Sequence, residues 1–83
     1  MTKAEIISEV AMATGLSKRE VTAVVEAFME SVKNHLLKKE SVFLRGFGSF
    51  IIKHRAAKTA RIAAHDLPSF KPAKSLVEQM RGE

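Results

Sequence analysis

Apolar residues recur at helical spacing from Ile6 to Leu36 and then, from Val42, at every second position. The helical part divides in two. Ile6, Ile7, Val10 and Ala11, closed by Ala13, follow Thr2-Lys3-Ala4-Glu5, a capping box with Thr2 as N-cap and Glu5 at the third helical position. Gly15 suits the residue just past this helix. Leu16 then precedes a second capping box, Ser17-Lys18-Arg19-Glu20. Two such boxes in close succession predict a pair of helices joined by a turn. The second helix is expected from about Lys18 to Leu37, with Val21, Val25, Phe28, Val32 and Leu36 in one stripe flanked by Val24 and Met29. That face is wider than one packing partner needs. It can cover the first helix and a second copy of the chain, or be buried within a monomer. Lys38-Lys39-Glu40 is the polar exit.

Period two takes over in Val42–Arg55, VFLRGFGSFIIKHR. Val42, Leu44, Phe50 and Ile52 share one parity. Phe43, Arg45, Ile51, Lys53 and Arg55 share the other. Gly46 and Gly48 allow the chain to reverse between the two halves, where a Cβ would clash. The expected element is a β-hairpin with one buried apolar face and one cationic face turned to an anionic partner. An ordinary amphipathic hairpin with a solvated outer face fits the same pattern.

After Arg55 the run Ala56-Ala57-Lys58-Thr59-Ala60-Arg61 continues the strand, with Arg55 and Arg61 on one face and Lys58 on the other. Residues 62–66 form a short connection. Leu67-Pro68-Ser69-Phe70 reads as a brief returning strand that Pro68 confines to a sheet edge. Lys71-Pro72-Ala73-Lys74 opens a last short helix with Pro72 near its first turn, Leu76, Val77 and Met80 on its apolar side and Gly82 at its end.

Composition narrows what such a chain can be. Eighty-three residues make one domain, 1–83, and leave a lone monomer little surface to bury. With no cysteine there is no disulfide staple, so oligomerisation is the remaining common route to a larger core. No apolar run approaches a membrane span and MTKAEI lacks a signal-peptide core, so the reading is cytoplasmic. The net charge of +5 is unevenly placed. Residues 1–40 carry six Lys/Arg and six Glu, whereas residues 41–83 carry eight Lys/Arg against Asp66, Glu78 and Glu83. Between Arg45 and Arg61 lie five basic residues and no acid. That asymmetry points to a polyanion, nucleic acid first and an acidic membrane surface second. A solvated basic loop is the alternative.

Catalytic chemistry finds little support. His35, His54 and His65 lie apart with no metal-ligand spacing, although His54 falls in the region expected to face a polyanion. One Asp and no Cys leave no triad or metal cluster to assemble, and the Gly-x-Gly of RGFG is no nucleotide loop. The reading is a non-enzyme without cofactor, metal or small-molecule substrate. The paired helices resemble a DNA-reading helix-turn-helix in spacing, but the second helix exposes Glu20, Glu26 and Glu30 where such a helix needs donors.

TKAEII, TGLSK, VFLRGFGSF, RAAKTAR and PSFKPAK occur here in an order that resembles the bacterial HU/IHF family of histone-like DNA-binding proteins over nearly the whole chain. The resemblance implies an α+β fold: a base of two N-terminal helices, a β-sheet saddle, β-ribbon arms and a short C-terminal helix, in an intertwined dimer. The second subunit would be another copy, or a paralogue in a heterodimer. It implies a largely sequence-nonspecific protein of the bacterial nucleoid that binds double-stranded DNA in its minor groove and compacts or bends it. Carried over by position, Phe47, Phe50 and Phe70 form an aromatic dimer core, which the stripe residues Phe28 and Val32 join. Arg55, Lys58 and Arg61 lead into the arm, and Lys3, Lys71 and Lys74 hold phosphates on the flanks of the saddle. Lys53 and Arg45 are added to the DNA-binding set on parity alone.

The sequence departs from the family at the arm. A Gly-Arg-Asn-like turn and a long arm tipped by a DNA-wedging proline follow the basic run in the family. Here Ala60 stands in place of the glycine, and no proline lies between Arg61 and Pro68. The arm is expected to be short or missing. An armless body would bind DNA weakly or serve as a protein-interaction or assembly module.

Overall fold

The structure is a computed structural model that describes residues 1–55 and 65–82. Its order is α1 (Lys3–Thr14), α2 (Lys18–Leu37), β1 (Val42–Leu44), β2 (Gly48–Arg55), β3 (His65–Pro72) and α3 (Lys74–Met80). Two compact units result, Met1–Ser31 and Val32–Glu83, with α2 running through the boundary.

In the first unit both predicted caps form. The Glu5 N–H donates to Thr2 Oγ1 at 3.2 Å, and the Thr2 hydroxyl donates to the Glu5 carboxylate at 3.0 Å. At α2 the box is reciprocal: the Glu20 N–H donates to Ser17 Oγ at 3.1 Å and the Ser17 N–H to Glu20 Oε1 at 3.2 Å. These bonds satisfy helix N–H groups that lack a partner within the helix. They also stabilise the carboxylate, and they hold the Glu20 carboxyl below its ordinary pKa. Gly15 ends α1 in the left-handed region at φ +77°. Between the helices Ile7, Ala11 and Val21 are buried, with Val10 and Val25 packed against them.

That core is small. Among the described residues only these three hydrophobic side chains are fully inside, while Val24, Phe28, Met29 and Leu37 on α2 stay exposed. A large aliphatic side chain contributes about 1.5–3 kcal/mol when fully buried. The wide stripe on α2 therefore leaves most of its potential stabilisation unused in one protomer.

In the second unit α2 ends in a Schellman motif. The Glu40 N–H reaches His35 O at 2.9 Å and the Lys39 N–H reaches Leu36 O at 3.0 Å. The left-handed residue of that motif is Lys39, at φ +65°, where glycine is usual. The sheet is an antiparallel meander in the order β1-β2-β3. Its first turn is closed by the Phe47 N–H on Leu44 O at 3.0 Å, with Gly46 at φ +81° in the third position.

Gly46 takes the positive φ of the turn, and Gly48 begins β2, buried where a Cβ would clash as expected. Two expectations are corrected here. The returning strand is longer than Leu67–Phe70, because pairing with β2 holds His65 to Pro72 extended, although it lies at the sheet edge as expected. Pro72 closes β3 instead of opening the helix. The N-cap of α3 is Ala73, which makes no side-chain capping bond, and Gly82 follows the helix at φ +78°. Among the described residues no helix is long and apolar enough to cross a membrane.

Candidate nucleic-acid interface

The register assigns each side chain to a face. Val42 pairs with Phe50 and Phe50 with Phe70; Ile52 pairs with Pro68 and His54 with Asp66. Since alternate residues share a face, these lie together with Leu44, Gly48 and Pro72. The other face carries the rows Phe43–Ser49–Lys71, Ile51–Ser69, Lys53–Leu67 and Arg55–His65. The parity read from the sequence is the parity of the sheet.

The first face is aromatic. The Phe70 ring lies 5.3 Å from that of Phe47 and 5.2 Å from that of Phe50, both tilted, in the range where edge and face of neighbouring rings attract. Phe47 nonetheless remains 50% exposed and Phe70 39% exposed in the protomer. On α2, Phe28 is 47% exposed and Val32, one turn on, is half-buried. The trio assigned to a dimer core is thus assembled within one chain and left half-covered.

The second face is cationic. Lys53, Arg55 and Lys71 are exposed on it, with Arg45 exposed in the β1–β2 turn and Lys74 exposed at the first residue of α3. The Ala73 N–H donates to Phe47 O at 2.9 Å, which ties the start of α3 to that turn. Among the described residues none of these five cations is in an ion pair. They are therefore available to an external anion. Arg45, Lys71 and Lys74 border an open groove of about 530 Å³ that also takes in Phe43, Ser49 and Ile51 and contains no acid.

Lys3 belongs to the other unit and is engaged differently, with Nζ 3.3 Å from Glu26 Oε1. Both side chains are more than half exposed, so the pair contributes little stability. Lys58 and Arg61, and with them the question of the arm, lie outside the described residues.

His54 is a correction. It lies on the aromatic side of the sheet, not with Lys53 and Arg55, and its Nδ1 is 2.5 Å from Asp66 Oδ1. Lys39 Nζ is 3.1 Å from Asp66 Oδ2. The bonds to His54 and to Lys39 hold the Asp66 carboxyl below its ordinary pKa. The one aspartate of the chain is thus engaged with His54 and Lys39 on the face opposite the cations. Sequence reasoning missed this cluster; the signal was the cross-strand register, which the sequence does not state.

Residues 1–81 match the family model described as bacterial DNA-binding protein. The chain belongs to this family. Its members are structural DNA-binding proteins, not enzymes. DNA-binding protein HU of Geobacillus stearothermophilus is 38% identical over 90 residues, covering 98% of this chain and all of that one. The HU of Thermus thermophilus is 37% identical over 90 residues, covering 98% of this chain and 93% of that one. A solved structure of Anabaena HU with DNA superposes with a TM-score of 0.92 at 27% identity and full coverage of both chains. The α+β architecture read from the sequence, with N-terminal helices, an antiparallel sheet and a C-terminal helix, is that of the HU structures. The Geobacillus HU alignment runs over 90 positions but takes in 98% of 83 residues, so about nine positions of that HU have no counterpart in this chain.

Proposed function

We propose that this chain is a dimeric, largely sequence-nonspecific double-stranded DNA-binding protein that compacts or bends DNA in the nucleoid of the bacterial cytoplasm, acting as one domain over 1–83. The observation that carries the reading is the acid-free sheet face on which Lys53, Arg55 and Lys71 stand exposed beside Arg45 and Lys74. Cations at strand spacing suit a phosphate backbone. Binding then follows counterion release, with log K falling against log salt by about 0.9 per neutralised phosphate. Titration of a random-sequence duplex from low to physiological salt tests this; affinity indifferent to salt would contradict it.

The half-covered rings of Phe47 and Phe70, with exposed Phe28, support the dimer. By position in the family we assign Lys3 to the flank of the same DNA path, and Lys58 and Arg61 to the run that leads into the arm. The shortfall of about nine positions favours placing the missing residues in the arm, where nine residues, 56–64, separate the paired Arg55 and His65. A second reading follows from that shortfall: a body that binds DNA weakly and serves assembly. A bending assay on the full chain separates the two, since strong bending excludes the second.

A further inference from the structure

Phe43 is out of place on the cationic face. It is 75% exposed, on edge strand β1, and the register puts it in one row with Ser49 and Lys71. A large ring in water on a sheet edge invites self-association, and sheets ordinarily protect such edges with charge. Phe43 is also not isolated. Ile51 lies in the next row of the same face and Leu67 in the one after, so apolar groups alternate with the cations Lys71, Lys53 and Arg55. Ser49, small and between Phe43 and Lys71, leaves the row low in its middle. There the groove opens, lined by the apolar Phe43 and Ile51 and by the cations Arg45, Lys71 and Lys74.

Resting on the DNA-binding reading above, we propose that Phe43 is a contact residue for the deoxyribose edge of a duplex, and that Phe43 and Ile51 supply a salt-independent part of the affinity. A DNA strand alternates phosphates with sugar rings whose faces are apolar. A surface carrying only cations would meet the phosphates and leave the sugars in water. A groove lined by both cations and an aromatic ring matches both. Its lining of three cations and no acid favours an anionic occupant, and a duplex supplies phosphates and sugars at regular intervals. The two kinds of contact respond to salt differently. Phosphate contacts set the slope of log K against log salt. Apolar contact sets the level at which that line lies, because removing a ring from water releases no counterion.

The experiment measures duplex affinity of the full chain at several salt concentrations for the native protein, Phe43→Ser, Phe43→Leu and Lys53→Gln. Phe43→Ser is expected to weaken binding about tenfold for each ring of the dimer that meets the duplex, at every salt concentration and with the slope unchanged, the size expected for losing a partly buried ring. Phe43→Leu is expected to retain most of that affinity. Lys53→Gln is expected to lower the slope by about 0.9 for each of the two copies in the dimer that neutralises a phosphate. Melting temperature and sedimentation of the free proteins accompany the titrations, since a side chain this exposed is expected to leave both unchanged. A Phe43→Ser line that coincides with the native line overturns the proposal, as does a Phe43→Ser protein that differs only in self-association. A native protein with no duplex affinity overturns the DNA-binding reading as well, and is told apart from the other failures by the native titration alone.

Discussion

The ring of Phe70 occupies the space that a side chain at Gly48 would need. A Cβ built on Gly48 falls 2.5 Å from Phe70 Cζ and 2.7 Å from the Lys71 carbonyl oxygen. The carbonyl is backbone, so it has little freedom to yield. Gly48→Ala is therefore expected to destabilise the fold by about 1–3 kcal/mol through overpacking. Gly46→Ala is destabilising for a different reason, its positive φ, with open space around it. Urea unfolding of both variants, with Ser49→Ala as control, checks the pair; a Gly48→Ala protein as stable as the native one would show that the ring is not held where the sheet places it.

The two helix starts make separable predictions. Thr2→Ala and Ser17→Ala each remove a side-chain acceptor from a helix N–H, and each is expected to lose about 0.5–2 kcal/mol. Ser17→Ala carries a second readout. The lowered pKa of Glu20 stems first from its bond with the Ser17 backbone and then from the Ser17 hydroxyl. Loss of the hydroxyl is expected to return the Glu20 carboxyl part of the way to its ordinary value, measurable by NMR titration.

Acid stability turns on Asp66. Its pKa is held low chiefly by the bond to His54 and next by that to Lys39. A carboxylate whose folded pKa lies below its unfolded one binds fewer protons when folded. Its stabilising contribution is then complete above the ordinary Asp pKa of about 4 and fades as pH falls through the lowered folded value. Asp66→Asn is accordingly expected to be less stable than the native chain at neutral pH and to converge on it in acid. Thermal melts across pH 2–7 check this, and curves that stay parallel throughout would assign the cluster no energetic role.

Association is expected to be part of folding. Among the described residues the buried core of one chain is three side chains, while Phe28 and Phe47 remain about half exposed and Phe70 more than a third exposed. The melting temperature is expected to rise with protein concentration, as it does when folded subunits stabilise one another by mass action. Phe28→Glu would place a carboxylate on that stripe and is expected to abolish the effect, leaving a monomer in sedimentation. A melting point independent of concentration over a hundredfold range would count against the dimer.

Much of this was legible in the residues because it is local. Thr2/Glu5 and Ser17/Glu20 announce helix starts by chemistry confined to four positions, and the parity of Val42–Arg55 survives into the register unchanged. What escaped depends on the third dimension. Pro72 suits the end of a strand as well as the first turn of a helix, and Ala73 offers no capping atom to decide between them. At Gly48 a clash with a Cβ was legible, but that the obstacle is the ring of Phe70 and the Lys71 carbonyl was not. Lys39 gives no local sign of a left-handed conformation, since a lysine there is strained unless something compensates. Its ion pair with Asp66 supplies a partner from 27 positions away in the chain.

The meander gives the chain a freedom of its own. β2 and β3 meet in continuous register from Gly48–Pro72 to Arg55–His65, so the rows that carry cations and rings are fixed before the connection begins. Residues inserted or deleted beyond that last pair change the loop-closure entropy by only about 0.6 kcal/mol per doubling of length. Reach and body are therefore separable traits. A lineage can lengthen or trim the sequence between Arg55 and His65 without reopening the question of how the rest folds.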